Sequence, residues 1–342
     1  MSLPPVDIPL GAMRFNSDSQ KLEYWDGSQW LQVSTFSPNL NGGARGLVAG
    51  GNITPGGADA NNIDYITISS TGNSIDFGDL NYNPREGSFC SSSTRGIYAG
   101  GYGPVPTLVN NISFVTISSI GNAADFGDLI NGARRLMTSG SNSTRGLIPG
   151  GYTPGSANTN TIDAVTIAST GNSFDFGDLA NTIRDHATFA SPTRCVLGGG
   201  SVPGTNTNRI EFIAIATLGN SQDFGDLSAL RTQCGGGSNP TRGLFVGGGE
   251  PGQVNTIEYV TISTIGNSQN FGDLTQAVNQ VYNLLTSSTR GVRCGGATSS
   301  PGFTNVMDYV TIQTLGDAVD FGDLVRGDSK NMAGCSNAHG GL

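Results

Sequence analysis

Residues 112–129 read ISFVTISSIGNAADFGDL: an apolar strand, a Gly121-Asn122 turn, and a second short run ending in Phe126-Gly127-Asp128-Leu129. Phe114, Thr116 and Ser118 alternate with Val115 and Ile117, the pattern of a two-sided strand. Gly-Asn between two such runs is hairpin chemistry, because both residues tolerate positive φ. The phrase returns as IDYITISSTGNSIDFGDL (63–80), IDAVTIASTGNSFDFGDL (162–179), IEFIAIATLGNSQDFGDL (210–227), IEYVTISTIGNSQNFGDL (257–274) and MDYVTIQTLGDAVDFGDL (307–324). Its phenylalanines are Phe77, Phe126, Phe176, Phe224, Phe271 and Phe321, a period of 49, 50, 48, 47 and 50 residues. A fixed period near 50 made only of short strands implies one four-stranded sheet per repeat. It predicts an all-β fold, a six-bladed β-propeller.

Working outward within one period gives the other strands. GSFCSSS (87–93) is a run of small residues, Thr94-Arg95-Gly96 a tight turn, and Ile97–Gly101 a strand ending in a double glycine. A loop rich in Pro and Asn (102–111) leads into the quoted phrase, so the strands are a, b, c and d in chain order. The turn arginines recur at 45, 95, 145, 194, 242 and 290. The first repeat has a strand b, Gly46–Gly51, with no strand a before it, whereas one extra a-like run, Asn331–Ser336, follows the last repeat. The C-terminal strand is therefore expected to complete the first blade and seal the sheet edges. The expected domains are a small β appendage at 1–40 and the propeller at 41–342.

Composition narrows the function. The chain has 342 residues, 52 of them Gly, and carries 15 Arg and two Lys (Lys21, Lys330) against 26 acids, a net charge of −9. That balance argues against nucleic acid or an anionic membrane as the main partner. No apolar stretch is long enough to span a bilayer. The leading residues MSLPPVDIPLGAM have neither a basic nor an apolar signal region, so no secretory signal is expected. Five cysteines (Cys90, Cys195, Cys234, Cys294, Cys335) scattered without a CxxC, and two histidines, point to neither zinc nor a disulfide framework. His186 and His339 read as structural.

Two resemblances follow. PREGSFCSSSTRGIYAGG and RDHATFASPTRCVLGGG, each followed by a variable loop and an aromatic-bearing strand, resemble the kelch repeat over residues 44–342; the usual Trp of the last strand is here the Phe of DFGD. LGAMRFNSDSQKLEYWDGSQWLQVST (10–35) is similar to a small β-hairpin module of bacteriophage tail and fibre proteins. Its three strands are expected at Ala12–Phe15, Lys21–Trp25 and Trp30–Val33. Together the resemblances imply a non-enzymatic virion protein, a tail fibre or decoration, made in the host cytoplasm. Its partners would be other virion proteins through Trp25 and Trp30, and a host surface glycan or protein through the propeller loops. A homo-oligomer is compatible with this reading. The alternatives are a kelch-type interaction scaffold in a cell and, less favoured, a carbohydrate-active hydrolase.

The repeated motifs read as framework. DFGD offers only two carboxylates per copy, fewer than a calcium loop uses, so no metal or cofactor is expected. The expectation is that Arg95, Arg145, Arg194, Arg242 and Arg290 bind Asp79, Asp128, Asp178, Asp226, Asp273 or Asp323, or a backbone carbonyl, between blades. No acid/base pair or catalytic residue stands out. The a–b and c–d turns are nearly constant, while the b–c and d–a loops vary, and recognition lives on variable loops of a rigid frame. Tyr82, Tyr102, Tyr152, Arg209, Glu250 and Phe303 are the contact candidates on that side.

Overall fold

Runs of Val, Ile, Thr and aromatic residues broken at Gly and Asn favour extended chain, and every regular element among the described residues is a strand in an antiparallel sheet. The structure, a computed structural model, describes residues 8–16, 21–32, 44–54, 57–103, 107–155, 157–249, 251–300 and 302–342. Two compact units divide the chain, Met1–Asn41 and Gly42–Leu342.

The first unit is a three-stranded antiparallel sheet of Met13–Asn16, Lys21–Trp25 and Trp30–Gln32. Asp26 builds its second turn by accepting the Ser28 and Gln29 amides at 2.7 Å, and these bonds hold its carboxyl below the usual range. Trp25 and Trp30 are cross-strand partners with ring centroids 5.5 Å apart, and the Arg14 guanidinium lies 4.2 Å over Trp30.

In the second unit six sheets repeat the order a-b-c-d. Sheet 2 shows the plan with Ser88–Ser91, Arg95–Ala99, Asn111–Thr116 and Ala124–Asp128. Sheets 3, 4 and 5 follow with b strands at Arg145–Pro149, Arg194–Gly198 and Arg242–Val246. Sheet 6, with b strand Arg290–Gly296, also takes in Ser329–Lys330, Asn52–Ile53 and Ala58–Asp59. Sheet 1 draws on both ends of the second unit: Ala333–Ser336 pairs with Arg45–Ala49 in the register Ala333↔Ala49 to Ser336↔Gly46. The pairing is shorter than the expected Asn331–Ser336 with Gly46–Gly51, because Lys330 turns to Asn52 instead. Asn337 rebuilds the missing a–b turn without a covalent link, its Oδ1 accepting the Arg45 amide at 2.8 Å.

DFGD and Gly-Asn turn out to be two halves of one clasp. At every DFGD the c–d register slips by one residue: Ile112 opposes Gly127 and Ser113 opposes Asp125, leaving Phe126 as the extra, inward-turned residue of a bulge. All six phenylalanines are buried, each in a core shared by two successive sheets. Burying one such ring contributes about 1.5–3 kcal/mol. The bulge also presents backbone to the next sheet. Gly171 N donates to Phe126 O (2.7 Å), Ser173 N to Asp128 O (2.9 Å), and Asp128 N to Asn172 Oδ1 (3.0 Å). The same three bonds recur at all six junctions, the last from sheet 6 to sheet 1 through Gly72, Ser74 and Asn73. Gly127 has φ +152°, and a Cβ there would lie 2.4 Å from Gly171 O, so the clasp closes only on glycine.

The a strands meet one another in the same cyclic order. Ser141 Oγ donates to Ser91 O, Ser91 Oγ to Ser336 O, and Ser238 Oγ to Ala190 O, each at 2.7 Å. Residues 337–342 lie across these strand ends. His339 Nε2 sits 2.9 Å from Ser91 O, while Gly340 N donates to Ser238 O three sheets away at 2.9 Å.

Candidate ligand-binding rim

The end of the sheets that carries the b–c loops and d–a segments is built on a backbone ring. Each d–a segment delivers one non-glycine residue in the left-handed region: Glu86, Leu136, Asp185, Gln233, Gln280 and Asn331, with φ between 53° and 61°. Leu136 N donates to Glu86 O (2.7 Å), Asp185 N to Leu136 O (2.9 Å) and Gln233 N to Asp185 O (2.8 Å). Val281 N then reaches Gln233 O, Asn331 N reaches Gln280 O, and Glu86 N reaches Asn331 O, closing the circle. A left-handed non-glycine residue is uncommon, and six in register show that the ring bonds offset the strain.

The residue before each ring member pairs with the residue after the double glycine of strand b. In order the pairs are Arg85–Tyr102, Arg135–Tyr152, Arg184–Ser201, Thr232–Gly249, Asn279–Ala297 and Lys330–Asn52. The backbone is six-fold here, but the side chains are not. Arg85 lies 4.2 Å over the Tyr102 ring with Arg135 on it at 5.1 Å, and Arg135 and Arg184 lie over Tyr152 at 5.3 and 4.7 Å. Lys330 Nζ sits 4.4 Å over Phe303. Two open grooves flank Tyr152: one includes Tyr102, Thr107, Leu108 and Arg135, the other Asn158, Thr182, Arg184 and Asn206. Carboxylates hold the arginines, with Arg85 Nη1 2.7 Å from Asp59, Arg135 Nη1 2.7 Å from Glu86 and Arg184 Nε 3.4 Å from Asp185.

Beneath the rim lie buried ion pairs that were not read from the sequence. Arg134 pairs with Asp163, Arg231 with Glu258 at 2.7 Å, Arg326 with Asp64 at 2.6 Å, and Arg293 with Asp308 through two bonds of 2.9 and 2.8 Å. Burial raises the Asp64 carboxyl above its usual range despite Arg326. The available signal was an acid inside the apolar c strand, as in IDY, IDA, IEF, IEY and MDY. Asp185 is buried too. Desolvation raises its pKa to about 6, and its Oδ1 accepts the Tyr282 hydroxyl at 2.5 Å from two repeats away. His186, next in sequence, is fully buried with neither ring nitrogen hydrogen-bonded, and desolvation lowers its pKa to about 4.

The sequence candidates divide. Tyr102 and Tyr152 lie on the rim grooves, and Phe303 stands beside Lys330. Tyr82 is an anchor instead: its hydroxyl donates to Gly100 O at 2.9 Å and its ring packs edge-on to Tyr98. Arg209 is tied to Glu211 and Asp223 of its own sheet at 3.3 and 3.5 Å. Glu250 lies outside the described residues. Arg95, Arg145, Arg194, Arg242 and Arg290 take the carbonyl rather than the carboxylate alternative. Their Nη1 atoms reach Ile167, Ile215, Ile262, Ile312 and Ile68 O at the end of the c strand of the next sheet, at 2.6–3.3 Å. Each guanidinium also lies over an aromatic ring of its own sheet, such as Phe114, Phe212 or Tyr259, which helps to hold it. Asp79, Asp128, Asp178, Asp226, Asp273 and Asp323 serve the junctions through their backbone N–H groups. Among the described residues, no three His, Cys, Asp or Glu side chains gather as a metal site. No protein-family model and no curated protein matches the chain.

Proposed function

We propose that the six sheets are the blades of one closed, kelch-like β-propeller, and that the protein is a non-enzymatic virion component of a phage, a tail fibre or decoration. Its b–c/d–a rim contacts the host surface, and its N-terminal sheet attaches it to other virion proteins. The cyclic clasp from sheet 6 back to sheet 1 supports the propeller. The observation that carries the recognition role is the break in six-fold pattern at the rim: a six-membered backbone ring bearing aromatic and cationic side chains on some repeats and small ones on others. Exposed Met13 and Phe15 on the small N-terminal sheet, with Leu10 in the turn before it, support an attachment role, since such a sheet is marginal by itself. The acids inside the sheets are bound to arginines, which suits a frame.

Mass spectrometry of phage particles purified from the producing culture tests the assignment. The chain should co-purify with the particles at stoichiometric level, and removal of residues 1–40 should leave the rest soluble but unattached. A chain found only in the soluble lysate fraction would end the virion reading. A projection of the isolated protein without a six-fold ring would end the propeller.

A further inference from the structure

We propose that the arc Lys330–Arg85–Arg135–Arg184, with Tyr102 and Tyr152, binds a carboxylate-bearing polysaccharide laid along the two grooves. The inference rests on reading the variable rim as the recognition face, and it names the ligand class.

The six-fold register is what makes the arc visible. At the position before the ring residue, four consecutive repeats carry Lys330, Arg85, Arg135 and Arg184, and the remaining two carry Thr232 and Asn279. A chain with net charge −9 and 17 cations has thus set four of them side by side at one structural position. The neighbouring acids do not cancel this at the surface. Side-chain exposure is 24, 25 and 32% for Arg85, Arg135 and Arg184, but 11, 12 and 7% for Asp59, Glu86 and Asp185. In each pair the acid is the more deeply buried partner, and the arginine keeps part of its side chain exposed.

Tyr102 and Tyr152 separate the arginines by stacking between them, so the forks are fixed at intervals along an edge. Planar forks held this way suit carboxylates, which they bind bidentately, better than flexible lysines would. The grooves are open and share Tyr152, which suits a chain more than a compact ligand. Thr107, Asn158, Thr182 and Asn206 line them with groups that match sugar hydroxyls.

The experiment is affinity electrophoresis of the full chain through gels containing polygalacturonate, neutral dextran, or dextran sulfate, at low and at physiological salt. Polygalacturonate should retard the protein and dextran should not. Arg135→Ala and Arg184→Ala should each weaken retention by about tenfold, as loss of a charge-assisted pair implies. Arg135→Lys, which keeps the charge and loses the fork, should fall between. Thr232→Arg, which extends the arc by one repeat, should strengthen retention. Melting curves of each variant identify any that fail to fold, and Thr232→Arg keeps the test decisive if the alanine variants do. No retention by polygalacturonate, equal retention by dextran sulfate, or indifference to all four substitutions would overturn the proposal. Adsorption of the protein to intact host cells is scored alongside. Adsorption lost in the rim variants without polygalacturonate binding would leave the recognition face standing and end the acidic-glycan claim.

Discussion

The two ends of the sheets obey opposite rules. At the end of the a–b and c–d turns, the same Gly-Asn and DFGD contacts recur at six junctions with one Asn→Asp exchange, Asp317, which still accepts the Asp273 amide at 3.0 Å. At the other end the backbone ring repeats the same bond at five of its six steps, Val281 donating in place of Gln280 at the sixth, yet its six members are Glu, Leu, Asp, Gln, Gln and Asn, and the residues beside them range from Arg to Thr. A frame that closes through backbone groups leaves its side chains open to change. Sequence constancy therefore marks where side chains or glycine make the junction, and sequence variety marks where the backbone alone does so.

Two adjacent residues give the sharpest test of that contrast. Arg134 is fully buried against Asp163 and also donates to Gly150 O at 3.0 Å, whereas Arg135 reaches the rim. Arg134→Ala leaves a buried carboxylate unpaired and should cost about 3–5 kcal/mol. Arg135→Ala removes a partly exposed pair and should cost about 1 kcal/mol or less. Urea denaturation of both variants measures the difference. Equal losses would erase the distinction between frame and rim.

The next effect in size concerns Asp185 and His186, where ring and core touch. His186 holds the slot that Met137 and Met332 fill in other repeats, all fully buried. Its pKa falls from 6.5 to about 4 on folding, so between those values the unfolded chain takes the proton and stability drops as pH falls. Asp185 moves the other way, from 3.8 to about 6, so its contribution is present at low pH and lost as pH rises through about 6. The two slopes oppose each other over nearly one window, each worth about 3 kcal/mol across it. His186→Met should gain stability, with the advantage over the parent widening from pH 6.5 down to 4. Asp185→Asn should leave a steeper loss toward acid than the parent shows. Parallel stability–pH curves for parent and His186→Met would refute the burial of an unpaired imidazole.

Much of the frame was legible because it depends on residue type. Gly-Asn, DFGD and the turn arginines stand out as repeats, and the a-like run after the last repeat pointed to the pairing of Ala333–Ser336 with the first b strand. The ring was not legible, since Glu86, Leu136 and Gln233 share a backbone angle and no chemistry. Between the two partners expected for the turn arginines, a DFGD carboxylate or a backbone carbonyl, charge complementarity was no guide. The turn arginines lie over aromatic rings and reach Ile carbonyls, and the DFGD bulge spends its backbone, not its carboxylates, on the neighbouring sheet. Tyr82 and Tyr282 sat on variable loops like Tyr102 and Tyr152, but their hydroxyls are used internally, by Gly100 O and Asp185. Loop position could not separate the anchors from the rim.

A smaller effect probes the clasp itself. Asn172→Ala deletes one acceptor and leaves the Asp128 amide unpaired at a half-exposed junction, which should cost about 1 kcal/mol. Asn172→Asp should be close to neutral, because Asp317 already performs the same task in sheet 6. If the Asp variant were as costly as the Ala variant, the side-chain amide would have a role beyond accepting that bond.

The smallest expected effect closes the comparison from the rim side. Thr205 is exposed just after the turn of a b–c loop, and its hydroxyl donates to the adjacent Asn206 O at 3.2 Å. No sheet junction passes through it, and the loop around it carries its own short strand pair, Ser201–Val202 with Thr205–Asn206. Thr205→Ala should therefore change stability by no more than about 0.5 kcal/mol, the range of surface substitutions away from special features. The same Thr→Ala chemistry at Thr286, fully buried among the a strands, removes a packed methyl and hydroxyl and should cost more. The pair separates position from residue type. A loss at Thr205 that matched the loss at Thr286 would mean the b–c loops help hold the frame, and their variety would then need an explanation other than freedom from it.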